Sequence, residues 1–268
     1  MSVEGGEEMK IDPSRAAALS SAIKSIQQRI STASGGRQVR LVAVSKLKPA
    51  SDIQALYNDG QRHFGENYAQ ELMEKAAILP KDIRWHFIGG LQSNKAKPLT
   101  SSVPNLYLVS SVDSSKKATQ LSKGRSEIPN AESLNIHIQI NTSGEESKSG
   151  VTPGPEATEL ARHVLSSCPN LNLVGLMTIG AIARSQAVKE GEENEDFKTL
   201  VEERDRLQQE LKQELGDRKL ELSMGMSDDF EAAIGMGSDE VRVGSTIFGE
   251  RPKREDFQVK AKAEESKS

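Results

Sequence analysis

The strongest constraint on this chain is a repeated alternation. From about residue 39 to residue 248, short apolar runs of β-like composition are separated by amphipathic stretches with helical spacing. Such alternation specifies parallel strands, because each run regains the same end of a sheet through a helical crossover. The runs predict strands over 39–45, 62–65, 84–89, 106–112, 134–141, 171–179, 221–226 and 240–248. Helical spacing between them is clearest over 51–57, 67–79, 155–165, 197–215 and 228–234. An additional helix over 14–31, with Ala18, Ile23, Ile26 and Ile30 recurring along it, precedes the first strand and ends at Ser34-Gly35-Gly36.

Eight strands over about 220 residues suit one closed (β/α)8 barrel, a fold that occupies about 250 residues. A doubly wound open sheet is the rival, but its phosphate fingerprint is missing. The first βα turn reads SKLKPAS instead of G-x-G-x-x-G, and Gly235-Met236-Gly237 precedes a strand where it should follow one. The expected organisation is therefore a flexible stretch over 1–13, an α/β TIM barrel with an extra N-terminal helix over 14–258, and a disordered tail over 259–268. The acidic stretch 183–195 reads as a solvated spacer.

Composition narrows the function classes. Net charge is −4, and no basic stripe with interleaved aromatics appears, which argues against a nucleic-acid partner. No window approaches the roughly 20 consecutive apolar residues of a membrane helix. The single cysteine, Cys168, has no partner for an internal disulfide, and the four histidines stand in no metal-ligand spacing, so no metal is expected. The acidic N-terminus MSVEGGEEMK has neither signal-peptide nor transit-peptide character, and the cytoplasm is the expected compartment, with a mitochondrial fraction left open.

In a parallel barrel the working face is the C-terminal end of the strands. Lys46 ends the first run, LVAVSK, and shares the parity of Val42 and Val44, which places its amine on the side that fills the barrel. Partial desolvation there favours the neutral amine, the form that condenses with an aldehyde. The alternative is a lysine that merely ends the strand and reaches solvent, as Lys48 would do before Pro49. The loops after the last two strands of such barrels frequently bind phosphate. Here they carry Ser223-Met224-Gly225-Met226-Ser227-Asp228 and Arg242-Val243-Gly244-Ser245-Thr246, glycines and hydroxyls suited to an anion nest. Ser227 with Asp228 also reads as a helix cap. A lysine on one side and a phosphate nest on the other define a phosphorylated aldehyde ligand. Glu66, Asn67, His86, Asn141 and Thr178 also fall at or near strand ends, with capping for Asn67 and core duty for His86 as alternatives.

The segments LVAVSKLKP, HFGENYAQEL, WHFIGGLQSNK, QINTSGEESKSG, VGLMTIG, LSMGMSDDFEAAI and VRVGSTIFGER, spread over about 14–257, resemble the YggS/PROSC-type pyridoxal phosphate homeostasis proteins, most of all the eukaryotic ones. The resemblance implies a barrel like that of alanine racemase, with pyridoxal 5'-phosphate held as a Schiff base on Lys46. It further implies Ser223, Gly244 and Ser245 around the phosphate and Arg242 facing the pyridine nitrogen; Asn67 joins the cofactor-binding set on its strand-end position alone. It also implies a monomeric carrier acting in vitamin B6 homeostasis that buffers or releases the cofactor, with apo enzymes as recipients.

Two features favour carrying over catalysis. The chain ends about twenty residues after the eighth strand, so the additional domain that helps the racemase place a second base is not expected. An arginine at the ring nitrogen discourages its protonation and weakens the ring as an electron sink. A racemase or Schiff-base lyase using Lys46 is the alternative, and a cofactor-free barrel aldolase a third reading.

Overall fold

The computed structural model describes residues 9–145, 149–180, 194–257 and 259. It opens with α1 (Pro13–Ser34), which starts where Asp12 accepts the Arg15 N–H at 2.6 Å and ends where Gly35 turns left-handed at φ 58°. The barrel proper then runs β1 (Arg40–Val44), α2 (Ala50–Asn58), β2 (His63–Glu66), α3 (Ala69–Ile78), β3 (Arg84–Phe87), α4 (Ser93–Ser102), β4 (Leu106–Val112), α5 (Ser115–Arg125) and β5 (Leu134–Gln139). It continues through α6 (Pro155–Ser167), β6 (Leu171–Met177), α7 (Glu195–Glu210), α8 (Lys212–Leu215), β7 (Glu221–Ser223), α9 (Phe230–Gly235), β8 (Glu240–Val243) and α10 (Ser245–Phe248).

The eight strands pair in sequence order, all parallel, and close into a barrel. Closure is made by β1 against β8, in a register that sets Arg40 beside Glu240 and Ala43 beside Val243. The (β/α)8 expectation is thus met, and the open sheet is excluded. Buried Leu19, Ile23, Ile26 and Ile30 of α1 pack against α2, α9 and α10, so the leading helix covers the closing seam from outside. No helix among the described residues is long and apolar enough to cross a membrane.

Differences from the sequence expectation sit at the strand ends. The eighth strand was expected to continue to residue 248; it stops at Val243, and the chain turns at Gly244 into α10, whose Ile247 and Phe248 N–H groups both return to the Gly244 carbonyl. The helix expected over 197–215 is interrupted at Leu211. Helices α4 and α5 give weak apolar periodicity: α4 contains Pro98, and α5 reads SKKATQLSKGR. They form by packing on each other, and a Cβ at Gly124 would lie 2.0 Å from Thr100 Oγ1. Val259, expected in the tail, is buried. The stretches 1–8, 183–193 and 260–268, read as flexible, spacer and tail, lie outside the described residues.

Candidate functional site

Residues beyond the C-terminal ends of β1, β2, β6, β7 and β8 gather at one mouth of the barrel. The closing register carries Val44 to Gly244, and a Cβ at Gly244 would lie 3.3 Å from both Val44 Cβ and the Val44 carbonyl oxygen and 2.5 Å from Arg251 Nη2. Glycine is required there for close approach, not for an unusual backbone angle. The Ser227 hydroxyl receives the Gly244 N–H at 3.3 Å and the Ser245 hydroxyl at 3.2 Å. Ser227 is therefore not the cap of α9, whose N-terminal flank is Asp229, and it belongs to the same polar cradle as Gly244 and Ser245.

One residue of this cradle, Arg251, lay outside the sequence-based reading, and Ser227 was read there both in the hydroxyl-rich run and as a helix cap. Among the described residues Arg251 has no carboxylate partner, and its guanidinium stands over Gly244. A small motif could have flagged it, since VRVGSTIFGER places an arginine two residues after Gly249, where the chain can fold back over the eighth strand's end.

Lys46 follows β1 on the same side. Its amine is held below the ordinary lysine value, first by burial and then by the positive charge of Arg251, against the opposing pull of Glu66 and Glu71. Lys48 does not reach solvent as expected: it is buried, and its ammonium donates to the Glu250 carbonyl. Asn67 lies beyond β2, but Tyr68, not Asn67, flanks the start of α3, so the capping alternative falls away. Its Oδ1 is buried without a hydrogen-bond partner. Gly89 makes room for this turn, since a Cβ there would lie 2.1 Å from the Asn67 carbonyl oxygen.

Arg242 and Ser223 sit deeper. The Arg242 guanidinium is wholly interior, donating to Ser223 Oγ at 2.6 Å and to the Thr178 carbonyl at 2.8 Å, and makes no ion pair among the described residues. Burial lowers its pKa from the ordinary arginine value. The Ser223 hydroxyl donates to Glu240 Oε1 at 2.8 Å. The structure therefore brings Ser227, and not Ser223, to Gly244 and Ser245, and places Ser223 between Arg242 and the barrel's inner charges.

Below that layer lies a polar core that the sequence did not foreshadow, because its members come from six strands. Glu240 Oε2 receives Arg40 at 2.9 Å and lies 3.4 Å from His86 Nδ1. His63 Nδ1 and His86 Nε2 are 2.8 Å apart, and His137 Nε2 reaches Glu221 Oε1 at 2.8 Å. Burial holds His86 down to about 3; burial, then Arg40 and Arg84, hold His63 down to about 4. Burial alone would raise Glu221, but His137 and Arg40 hold it down to about 2. Among the described residues no group of such side chains has the makings of a metal site.

Comparison with known proteins places this geometry. Residues 16–252 match the family model described as alanine racemase, N-terminal domain. The chain is 48% identical over 229 residues to the pyridoxal phosphate homeostasis protein of Schizosaccharomyces pombe, covering 85% of this chain and 90% of that one. The structure of PipY of Synechococcus elongatus with PLP bound is similar at a TM-score of 0.68 and 32% identity, covering 86% of this chain and 100% of that one. The alanine racemase of Corynebacterium glutamicum, at 15% identity and a TM-score of 0.61 over 88% of this chain and 62% of that one, shares the fold.

Proposed function

We propose, starting from the fact that this chain belongs to the family of the pyridoxal phosphate homeostasis proteins, that it binds pyridoxal 5'-phosphate at the barrel mouth and holds and releases it as a carrier. The observation that carries the reading is a lysine of lowered pKa beside Arg251, which has no carboxylate partner among the described residues, over a glycine-hydroxyl cradle at the ends of two adjacent strands, β1 and β8.

The residues fit the cofactor. The Gly244 backbone, the Ser227 and Ser245 hydroxyls and Arg251 supply donors and charge for the phosphate. Lys46 would supply the amine for the cofactor's aldehyde, with water as the leaving group. The buried Asn67 Oδ1, without a hydrogen-bond partner among the described residues, would be free to accept from a ligand's donor. Arg242, fixed by Ser223 and Thr178, would hold a cation against the ring nitrogen and so disfavour its protonation. Bound pyridoxal phosphate supplies an electrophilic aldehyde and an electron-accepting ring, and Arg242 weakens the second of these, which favours holding the cofactor over amino-acid chemistry. Ser223 acts through Arg242.

The recipients in this reading are apo enzymes that use the cofactor, and the carrier is a cytoplasmic monomer with the barrel as its one domain. Racemase or lyase action through Lys46 is the rival. Holo protein mixed with an apo transaminase should restore transaminase activity, and Lys46→Ala should bind the cofactor only weakly. Deuterium entering the α-carbon of an amino acid far faster than with free cofactor, and lost in Lys46→Ala, would replace the carrier by an enzyme.

A further inference from the structure

The peptide on each side of Lys46 is gripped from behind by one helix. Leu47, which follows it, stands at φ 57°, a left-handed conformation that costs a branched side chain roughly 1–2 kcal/mol. Its N–H donates to Glu71 Oε1 at 2.7 Å. Ser45, which precedes Lys46, gives its carbonyl to Lys75 Nζ at 2.9 Å. Glu71 and Lys75 are themselves paired at 2.6 Å, one turn apart on α3. Lys75 Nζ completes its three donors on Glu66 Oε1 at 2.7 Å, which also accepts the Ser45 hydroxyl at 2.6 Å. Lys75 and Glu66 are fully buried and Glu71 is 6% exposed.

This cluster lies on the outer side of the barrel wall. Ser45, just past β1, still donates its N–H to the Gly65 carbonyl of β2 at 2.9 Å and turns its hydroxyl and carbonyl toward Glu66 and Lys75, while Lys46 and Leu47 form the turn beyond it. It is an odd choice for stability alone, since a buried ion pair is often no better than apolar packing of the same volume, and here Glu66 Oε2 and Glu71 Oε2 are left without partners. Two carboxylates around one ammonium, with both flanking peptides bonded to them, make sense as a clamp on the residue between.

We infer that Glu71 and Lys75 are positioning residues for Lys46: through the Leu47 N–H and the Ser45 carbonyl they hold the chain in the left-handed turn that sets the amine at the barrel mouth. The inference rests on the reading of Lys46 as the residue that binds the cofactor's aldehyde. Glu71 Oε1 is committed to the Leu47 N–H and the Lys75 ammonium, so it acts on Lys46 through the chain.

The test uses full-length protein loaded with pyridoxal phosphate, and the rate at which hydroxylamine removes the cofactor. Removing the Glu71 carboxylate also removes a charge that favours protonated Lys46, a change that would leave more amine neutral and so favour condensation. A weaker attachment in Glu71→Ala thus reports geometry and not charge. Expected is release on the order of tenfold faster in Glu71→Ala, the factor matching the strain at Leu47, a smaller change in Glu71→Gln, and recovery of most of the loss in the double variant Leu47→Gly/Glu71→Ala, because glycine enters the turn without strain. Thermal melts of each variant accompany the rates. Parent-like release in a folded Glu71→Ala, or a loss that Leu47→Gly does not recover although the melt is restored, overturns the clamp. If the parent itself forms no borohydride-reducible adduct at Lys46, the cofactor reading fails and the inference with it, a result distinct from parent-like variants.

Discussion

Arg242 Nη1 donates to Ser223 Oγ at 2.6 Å, and the same hydroxyl donates onward to Glu240 Oε1 at 2.8 Å. One small side chain thus separates a buried guanidinium at the mouth from a carboxylate that Arg40 grips at 2.9 Å from below. Ser223→Ala leaves one donor of Arg242 and one oxygen of Glu240 unsatisfied in a dry layer, and should cost about 1–3 kcal/mol. Urea unfolding of parent and variant, compared at equal slope, measures it. No change in midpoint would mean that this relay contributes nothing to holding Arg242.

Lys46, and not Lys48, should carry the pyridoxyl group after borohydride reduction. Lys48 is buried with its ammonium committed to the Glu250 carbonyl, whereas no hydrogen bond within the described residues occupies the Lys46 amine. Peptide mapping decides, and an adduct on Lys48 would remove Lys46 from its role.

Gly244→Val should weaken retention of the cofactor. The added branches crowd Arg251 Nη2, 2.5 Å from the nearest position a Cβ can take, and press on the Val44 carbonyl at 3.3 Å. Dialysis against phosphate buffer should strip the variant while the parent keeps its cofactor. Equal retention would place the phosphate elsewhere.

Arg251→Ala should shift the pH dependence of attachment upward. Arg251 is one of the charges that lower the Lys46 pKa, so its removal raises that pKa and the neutral amine appears only at higher pH. With pyridoxal, which lacks the phosphate, the midpoint for Schiff-base absorbance should move to higher pH. An unshifted midpoint would show that Arg251 does not act on Lys46 through charge.

The barrel's buried histidines should make the fold sensitive to acid. His63 at about 4 and His86 at about 3 are neutral when folded, while the unfolded chain takes up protons near pH 6.5. Their stabilising contribution is full above that value and is lost as pH falls toward about 3. His86→Gln should flatten the fall in unfolding free energy over that window. Comparing variant with parent isolates the histidine from Glu66, which burial raises to about 7 and which acts in the opposite sense there. An identical slope in both proteins would rule out His86 as the source.

How much of this was legible follows the range of the interactions involved. Periodicity is local, so the alternation of apolar runs and amphipathic helices specified eight parallel strands and a barrel. Strands seven and eight announced Gly244 and Ser245 through glycine and hydroxyl content. Strand ends were less legible: the eighth run, apolar to Phe248, gave no sign that Gly244 would turn the chain into a helix. Helix α5 was nearly silent, because its stability comes from α4 across the Gly124 contact and not from its own apolar face.

What the sequence determined by itself was the eight strands, their order and the helices with a clear apolar face. What only the tertiary structure decided was which side chains meet. Barrel closure brought Ser227 and Arg251 to Gly244, moved Ser223 below Arg242, gathered His63, His86 and His137 among Arg40, Glu221 and Glu240, and set Glu71 and Lys75 against the two peptides that flank Lys46. Local pattern records which face of an element is apolar; polar partners up to some two hundred residues apart, such as Arg40 and Glu240, are joined only when the β1–β8 seam fixes their register.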